Sequence, residues 1–361
     1  MSVAEPYAFG AGLLASGLGA AGMSARPAAL PDYVRYSLLD IAAVGSGEHP
    51  ADALHGAVPL ARAAENSGYH RVWYAEHHNM PQIASAATSV VIAHVAANTE
   101  HIRLGAGGVM LPNHSPLVIA EQFGTLAALH PGRIDLGLGR APGSDQNTMR
   151  ALRRTASSAD TFPQDVLELQ GYLTGETRIP GVHATPGDGS NVPLYILGSS
   201  LFGAQLAAAL GLPYAFASHF APSALFAAIQ TYRAEFRPSD QQSEPYLIVA
   251  ANLIVADDED EARAQHQAAL RWRARRFLTP TAELTDEEID AVLATPSGEQ
   301  VKGMMRYTAA GTAEQAQDYL AQLAEKTGAD ELMLAPSAPR REDRIHAVEL
   351  LKAPEVVPAA G

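Results

Sequence analysis

Short apolar runs alternate along the chain with longer segments in which apolar residues return every three or four positions. The runs begin at Tyr36 (YSLLDIAAV), Arg71 (RVWYAEHH), Ile102 (IRLGAGGVML), Arg133 (RIDLGLGRA), Pro193 (PLYILGSS), Tyr214 (YAFASHF), Tyr246 (YLIVAANLIVA) and Glu331 (ELMLAPS). They are nearly continuous in apolar residues instead of alternating, which is how a strand covered by helices on both faces reads. The longer segments, 53–67, 84–98, 116–129, 162–173, 202–210, 222–236, 259–277 and 313–326, carry the helical period. Their boundaries agree: Ser115 precedes Pro116, Thr312 and Gln315 form a capping box, and Gly68, Gly132, Gly211 and Gly328 stop helices just before the next strand. Eight strand–helix units predict an α/β fold, a closed (β/α)8 TIM barrel; an open doubly wound sheet more often uses about five to seven strands.

Two intervals break the rhythm, 140–160 after the fourth strand and 278–311 after the seventh. Both follow strands and so emerge on the face where such barrels carry their active sites. The segment 278–311, inserted after strand seven, is far longer than the usual connection. It contains TDEEIDAVLA, with a capping box at Thr285, and the apolar residues Leu278, Met304, Met305 and Tyr307 directly after Phe277. With Pro280, Pro296, Gly298 and Gly303 as breaks, it is expected to be a mobile lid over a pocket.

Residues 1–32 are Ala/Gly-rich and are expected to form a flexible arm, with Met23 an alternative start. No basic residue precedes Arg26, so a secretory signal is not expected. Gly17, Gly19 and Gly22 match GxGxxG, but no strand pattern precedes them and Pro27 and Pro31 follow, so no dinucleotide site is expected there. Residues 33–352 read as one barrel domain and 353–361 as a tail.

Twenty-five Lys and Arg against 39 Asp and Glu give a net charge of −14, which argues against nucleic-acid and anionic-membrane partners. The sequence has no cysteine, which removes disulfides, thiolate metal sites, iron–sulfur clusters and thiol nucleophiles. No apolar run reaches the roughly 18 residues of a membrane span, and a cytoplasmic location is expected.

The carboxyl ends of the strands are unusually polar. They supply Asp40, the run Glu76-His77-His78, Gly107-Gly108, Arg140, Ser199-Ser200, His219 and Asn252. Neighbouring residues on a strand point to opposite faces, so Glu76, His77 and His78 cannot all converge on an ion, and no metal site is expected. Imidazole titrates near neutral pH, which suits His77 to acid–base work; hydrogen bonding to backbone is the competing role. Ser199 and Ser200 open a predicted helix, so its first amides, from Leu201 onward, would face an anion with help from the hydroxyls and Arg140. Simple helix capping by Ser200 is the alternative.

The runs VWYAEHHNM, LGAGGVMLPNHSPLVIAEQFGTLAALHPGRIDLGLGRAPG and ILGSSLFGAQLAAALGLPYAFA together resemble the bacterial-luciferase-like family of flavin-dependent monooxygenases, in particular single-subunit members of unknown substrate. The similarity extends over 36–351. It implies a homodimer binding FMN at the carboxyl face, with the reduced flavin supplied by a separate reductase. The flavin would react with O2 to give a hydroperoxide that oxidises a small organic substrate. His77 falls on the family's catalytic histidine with Glu76 before it, and Arg140 and Ser200 fall on residues that hold the flavin phosphate, with Ser199 and Leu201 beside them. Gly107-Gly108 falls on a pair joined by a non-proline cis peptide beneath the ring, where glycine would leave room for the ring's approach. Asp40 and His219 would be sparse polar contacts in a wall of Leu39, Ala42, Val109, Met110 and Leu111. Ser199, Gly203 and Gly139 replace a glutamate, a threonine and a reactive cysteine of luciferase, so light emission is not implied. Two alternatives stand beside this expectation: a deazaflavin-dependent hydride-transfer oxidoreductase on the same barrel, and a flavin-binding protein without catalysis.

Overall fold

The computed structural model describes residues 34–45, 47–140, 145–279 and 282–354. The expected arm, the GxGxxG match, Pro280 and most of the expected tail lie outside them.

Among the described residues there are nine strands: β1 (Arg35–Asp40), β2 (Arg71–Tyr74), β3 (Arg103–Met110), β4 (Ile134–Gly139), β5 (Leu194–Gly198), β6 (Tyr214–Phe216), β7 (Leu247–Val255), β8 (Thr308–Gly311) and β9 (Glu331–Pro336). All the pairings are parallel. β1 to β7 lie side by side in chain order, and β9 closes the ring between β7 and β1, giving an eight-stranded barrel. The helices are α1 (Pro50–Asn66), α2 (Thr88–Ala96), α3 (Pro116–Leu129), α4 (Gln146–Ala151), α5 (Phe162–Thr174), α6 (Leu201–Leu210), α7 (Leu225–Glu235), α8 (Glu259–Phe277), α9 (Asp286–Leu293), α10 (Pro296–Met304), α11 (Ala313–Thr327) and α12 (Arg341–Leu350). The capping box of Thr312 and Gln315 opens α11, and Gly211 and Gly328, both at φ 62°, close α6 and α11 in the left-handed conformation glycine tolerates best.

β8 was not expected. β6 has three residues and covers β7 only from Leu247 to Val249, which leaves the outer half of that edge bare. β8 pairs with Asn252 to Val255 there and satisfies backbone groups that would otherwise stay unpaired.

The interval 278–311 is an insertion after strand seven, but its helices pack on the outer side of α8. Ile289, Leu293, Val301 and Met305 are buried against Ala269, Leu270 and Ala274 of that helix. Arg271 pairs with Asp286 at 2.9 Å and Asp290 at 2.5 Å, and Arg275 with Asp286 at 2.8 Å. This corrects the expected lid: Met305 is consumed by the outer cluster, and Pro296 is no hinge but the first residue of α10, capped by Thr295.

The amino end of the barrel is sealed by a buried ionic cluster. Arg71 of β2 meets Asp135 of β4 at 2.7 Å and Glu331 of β9 at 3.0 Å, with both carboxylates fully buried. Arg103 also pairs with Asp135, Arg71 donates to the Tyr195 hydroxyl at 2.7 Å, and Tyr246 donates to Glu331 at 2.7 Å. Above it, Leu39, Trp73, Tyr195, Ile248 and Met333 fill the interior, leaving the carboxyl end as the place for a cavity. Among the described residues no helix is long and apolar enough to cross a membrane.

Candidate active site

A cavity of about 700 Å³ opens at the carboxyl ends of the strands. Of the residues expected at the site, Asp40, His77, Gly107, Gly108, Arg140, Ser199, Ser200 and His219 all line it. Glu76 and Leu201 are not in its wall. Leu39 and Met110 are, but Val109 and Leu111 are buried in the packing between barrel and helices, and Ala42 also lies outside the wall.

Glu76 and His77 follow β2 and part company as their neighbouring positions require. His77 faces the cavity, with Nδ1 3.4 Å from the Ala75 carbonyl, which leaves Nε2 free. Burial, and then the nearby Arg276 guanidinium, push its pKa down to about 4, so the imidazole is neutral at pH 7. Glu76 turns beneath the wall. Its carboxylate accepts N–H bonds from Met110 (3.0 Å), His78 (2.6 Å) and His114 (2.8 Å). Burial alone would raise its pKa, but these donors outweigh it and hold the group below its ordinary value. The structure thus places Glu76 behind the wall, hydrogen-bonded to its neighbours, while His77 alone of the pair reaches the cavity. The ligand atoms of Glu76, His78 and His114 lie within 4.8 Å of one another, and the two histidine hydrogen bonds account for that cluster.

The Gly107-Gly108 peptide is cis. The need for glycine here comes from the barrel. A Cβ on Gly108 would stand 2.7 Å from the Gly137 carbonyl oxygen of the neighbouring strand, and one on Gly107 would stand 2.8 Å from the Trp73 Cβ. Both contacts are with the protein's own atoms, so close packing within the barrel by itself requires glycine at these two wall positions.

Arg140 directly follows β4, with its guanidinium 4.2 Å from the centre of the Phe202 ring, in cation–π contact. Ser200 is the N-cap residue of α6, yet its hydroxyl makes no capping bond, so the helix's opening donors and this hydroxyl are left for another partner. Leu201 opens the helix with its side chain 43% exposed, away from the wall; only its amide can contribute.

Asp40 is buried, and burial raises its pKa against the opposing pull of Arg344 and the amides of Ala42 and Ile41. Arg344, from α12, donates to the carbonyls of Ala43, Ala338 and Pro339. His219 follows β6. Its Nδ1 is buried with no hydrogen-bond partner among the described residues, and burial followed by Arg273 depresses its pKa to about 3.

The remaining wall comes from α8. Trp272, Arg273, Arg276 and Phe277 line the cavity, and of these only Phe277 was anticipated. Asn252 of β7 ties this helix to the barrel: its amide donates to the His219 carbonyl at 3.0 Å, and its oxygen accepts from Arg273 at 2.6 Å and Ser337 at 2.9 Å.

Among the histidines whose pKa burial depresses, His70 included, His77 and His219 of the site make stability pH-dependent. Below about pH 6.5 the unfolded chain protonates both, whereas the native state accepts those protons only near pH 4 and pH 3. Native stability is therefore lost as pH falls from about 6.5 toward 4. His219→Gln removes one of the two groups, so its unfolding temperature should fall less steeply over that window than that of the wild type. Parallel slopes in a thermal melt series would contradict the buried neutral state of His219.

The sequence pattern of the luciferase-like monooxygenase family matches residues 34–331. A luciferase-like monooxygenase of Escherichia coli (strain K12) is 47% identical over 322 residues, 88% of this chain and 96% of that protein. The crystal structure of apo-MsnO8 is 34% identical and superposes with a TM-score of 0.79, covering 88% of this chain and 97% of that one. At the level of fold alone, the barrel also matches a type II Baeyer–Villiger monooxygenase component in complex with FMN (TM-score 0.67, 15% identity) and an F420-dependent secondary alcohol dehydrogenase with an F420–acetone adduct (TM-score 0.65, 19% identity). Family pattern, relatives and barrel agree: the chain belongs to the luciferase-like monooxygenase family.

Proposed function

We propose that the protein is a flavin-dependent monooxygenase that takes reduced FMN from a separate reductase and uses O2 to oxidise a small organic substrate. The observation that carries this reading is the presence of Arg140 and the Ser200 hydroxyl, which makes no capping bond, in the wall of one cavity whose size falls in the usual range, about 300–1,000 Å³, for ligand sites. Arg140, Ser199, Ser200 and the first amides of α6 would hold the phosphate, and Gly107, Gly108 and Leu39 would back the ring. When bound, reduced FMN supplies two electrons to O2, one oxygen atom passing to the substrate and the other leaving as water. The chain's own task is to exclude water and manage protons. Leu39, Ile41, Ile83, Met110 and Phe220 give the wall its apolar character. His77, neutral and with Nδ1 toward Ala75, would take or return a proton at Nε2. Val90 of α2 and Val118 of α3, 66% and 43% exposed on adjacent helices, are apolar side chains that a homodimer could cover.

Arg140→Ala should weaken FMN binding by about 1.5–3 kcal/mol, the worth of hydrogen bonds to a charged group. Riboflavin, which lacks the phosphate, should bind both proteins equally. Fluorescence titration checks this, and an unchanged FMN affinity would remove the phosphate from Arg140.

A further inference from the structure

Four arginines in the last two turns of α8 divide by face. Arg271 and Arg275 point outward and are paired with Asp286 and Asp290. Arg273 and Arg276, three positions apart and so on one face, line the cavity. Among the described residues neither has a carboxylate within ion-pair distance. Arg273 donates to the Asn252 side chain at 2.6 Å, and Arg276 makes a 2.9 Å contact to the Met80 sulfur. A guanidinium carries five donors, and most of these are unused.

Among the described residues of the wall, Asp40 is the sole carboxylate. His77 and His219, which face these arginines, are neutral at pH 7, and Asp40 accepts from the Ala42 amide, feels the charge of Arg344, and has no ion pair to Arg273 or Arg276. Burial lowers the pKa of both arginines, and Arg276 lowers that of Arg273 further, to about 10. Two partly desolvated cations side by side are costly without an anion between them. In a chain of net charge −14, this concentration of positive charge is local to the cavity.

We infer that Arg273 and Arg276 form a second anion site in the cavity, separate from Arg140 and Ser200, and that the substrate is an organic carboxylate with an apolar body. The inference rests on the flavin monooxygenase reading for the location of the substrate. Planar guanidinium donors match a carboxylate's two oxygens. The apolar body would lie along the aromatic flank: Arg276 sits 5.5 Å from the Trp272 ring centre and 5.0 Å from that of Phe277, and Phe277 packs on Phe220 with ring centres 6.0 Å apart. His77, which feels the charge of Arg276 and lines the same cavity, would then stand beside the bound substrate.

The test is calorimetric titration of the full chain, with and without FMN, using hexanoate and hexan-1-ol as probes that differ in charge. Hexanoate should bind about ten- to a hundredfold more tightly than the alcohol, the range expected for charge-assisted bonds. Arg276→Gln should erase that preference and leave the alcohol and FMN affinities unchanged. Arg273→Gln should act the same way, and Arg273→Lys should retain part of the preference. Equal binding of the two probes, or no binding of hexanoate, would overturn the inference. So would Arg276→Gln weakening FMN but not riboflavin, because the arginines would then hold the flavin phosphate. A wild type that prefers hexanoate yet fails to bind FMN would sink the flavin reading and leave the anion site standing.

Discussion

His77→Ala should leave FMN bound and lower turnover by about 10²–10⁴-fold, the span usual for a positioned acid–base group. The ring's placement is well determined. It is carried on the segment after β2, where Glu76 beneath it is fixed by Met110, His78 and His114. Its Nδ1 faces the Ala75 carbonyl, and Nε2 is left toward the cavity. With a pKa depressed to about 4, it is available as a base across the neutral range, so an activity loss tied to its protonation should appear near pH 4 and not near 6.5. The effect should fall on kcat, with little change in FMN affinity. Glu76→Gln, which keeps the shape but loses the charge that holds two histidines, should give a smaller loss and move the pH profile. A folded His77→Ala protein with FMN affinity and turnover at wild-type levels would remove His77 from the reaction.

Arg71→Ala should cost about 3–5 kcal/mol of stability, the loss seen when one partner of a buried ion pair is deleted. Asp135 and Glu331 are both fully buried, and without Arg71 their charges lose a shared cation. Asp135 would keep Arg103, whereas Glu331 would keep only the Tyr246 hydroxyl. Adding Glu331→Gln to Arg71→Ala should therefore recover part of the loss, because it removes a buried carboxylate left with no cation. Urea unfolding measures both. An unchanged midpoint in the single variant would show that the cluster contributes nothing at the barrel's base.

The barrel was legible because its eight strands are apolar on both faces, a pattern surface elements do not imitate. β8 was not: TAAG has no branched apolar run, and it forms because β6 is too short to cover β7. α12 was hidden for another reason. RREDRIHAVEL buries only Arg344, Ala347 and Val348, too thin a stripe to read as amphipathic. At α10, Pro296 opens the helix where a break was expected, because proline breaks a helix inside but favours its first turn.

The site was legible where a strand end supplied the residue. His77, Arg140, Ser200 and His219 all reached the cavity wall. Glu76 did not, although strand alternation already implied that it and His77 face opposite ways. The arginines of α8 were invisible in principle. Arg271, Arg273, Arg275 and Arg276 look alike in sequence, and only the distant Asp286 and Asp290 decide which two are paired outside and which two are left inside.

The central claim is that the cavity takes reduced FMN. Anaerobic titration of the full chain with reduced FMN and, in parallel, with reduced deazaflavin F420 tests it most directly. The account predicts saturable binding of reduced FMN, one per chain, weakened by Arg140→Ala, with no comparable binding of F420. Tight binding of F420 by a protein that ignores reduced FMN would contradict it and turn the same barrel into a hydride-transfer enzyme.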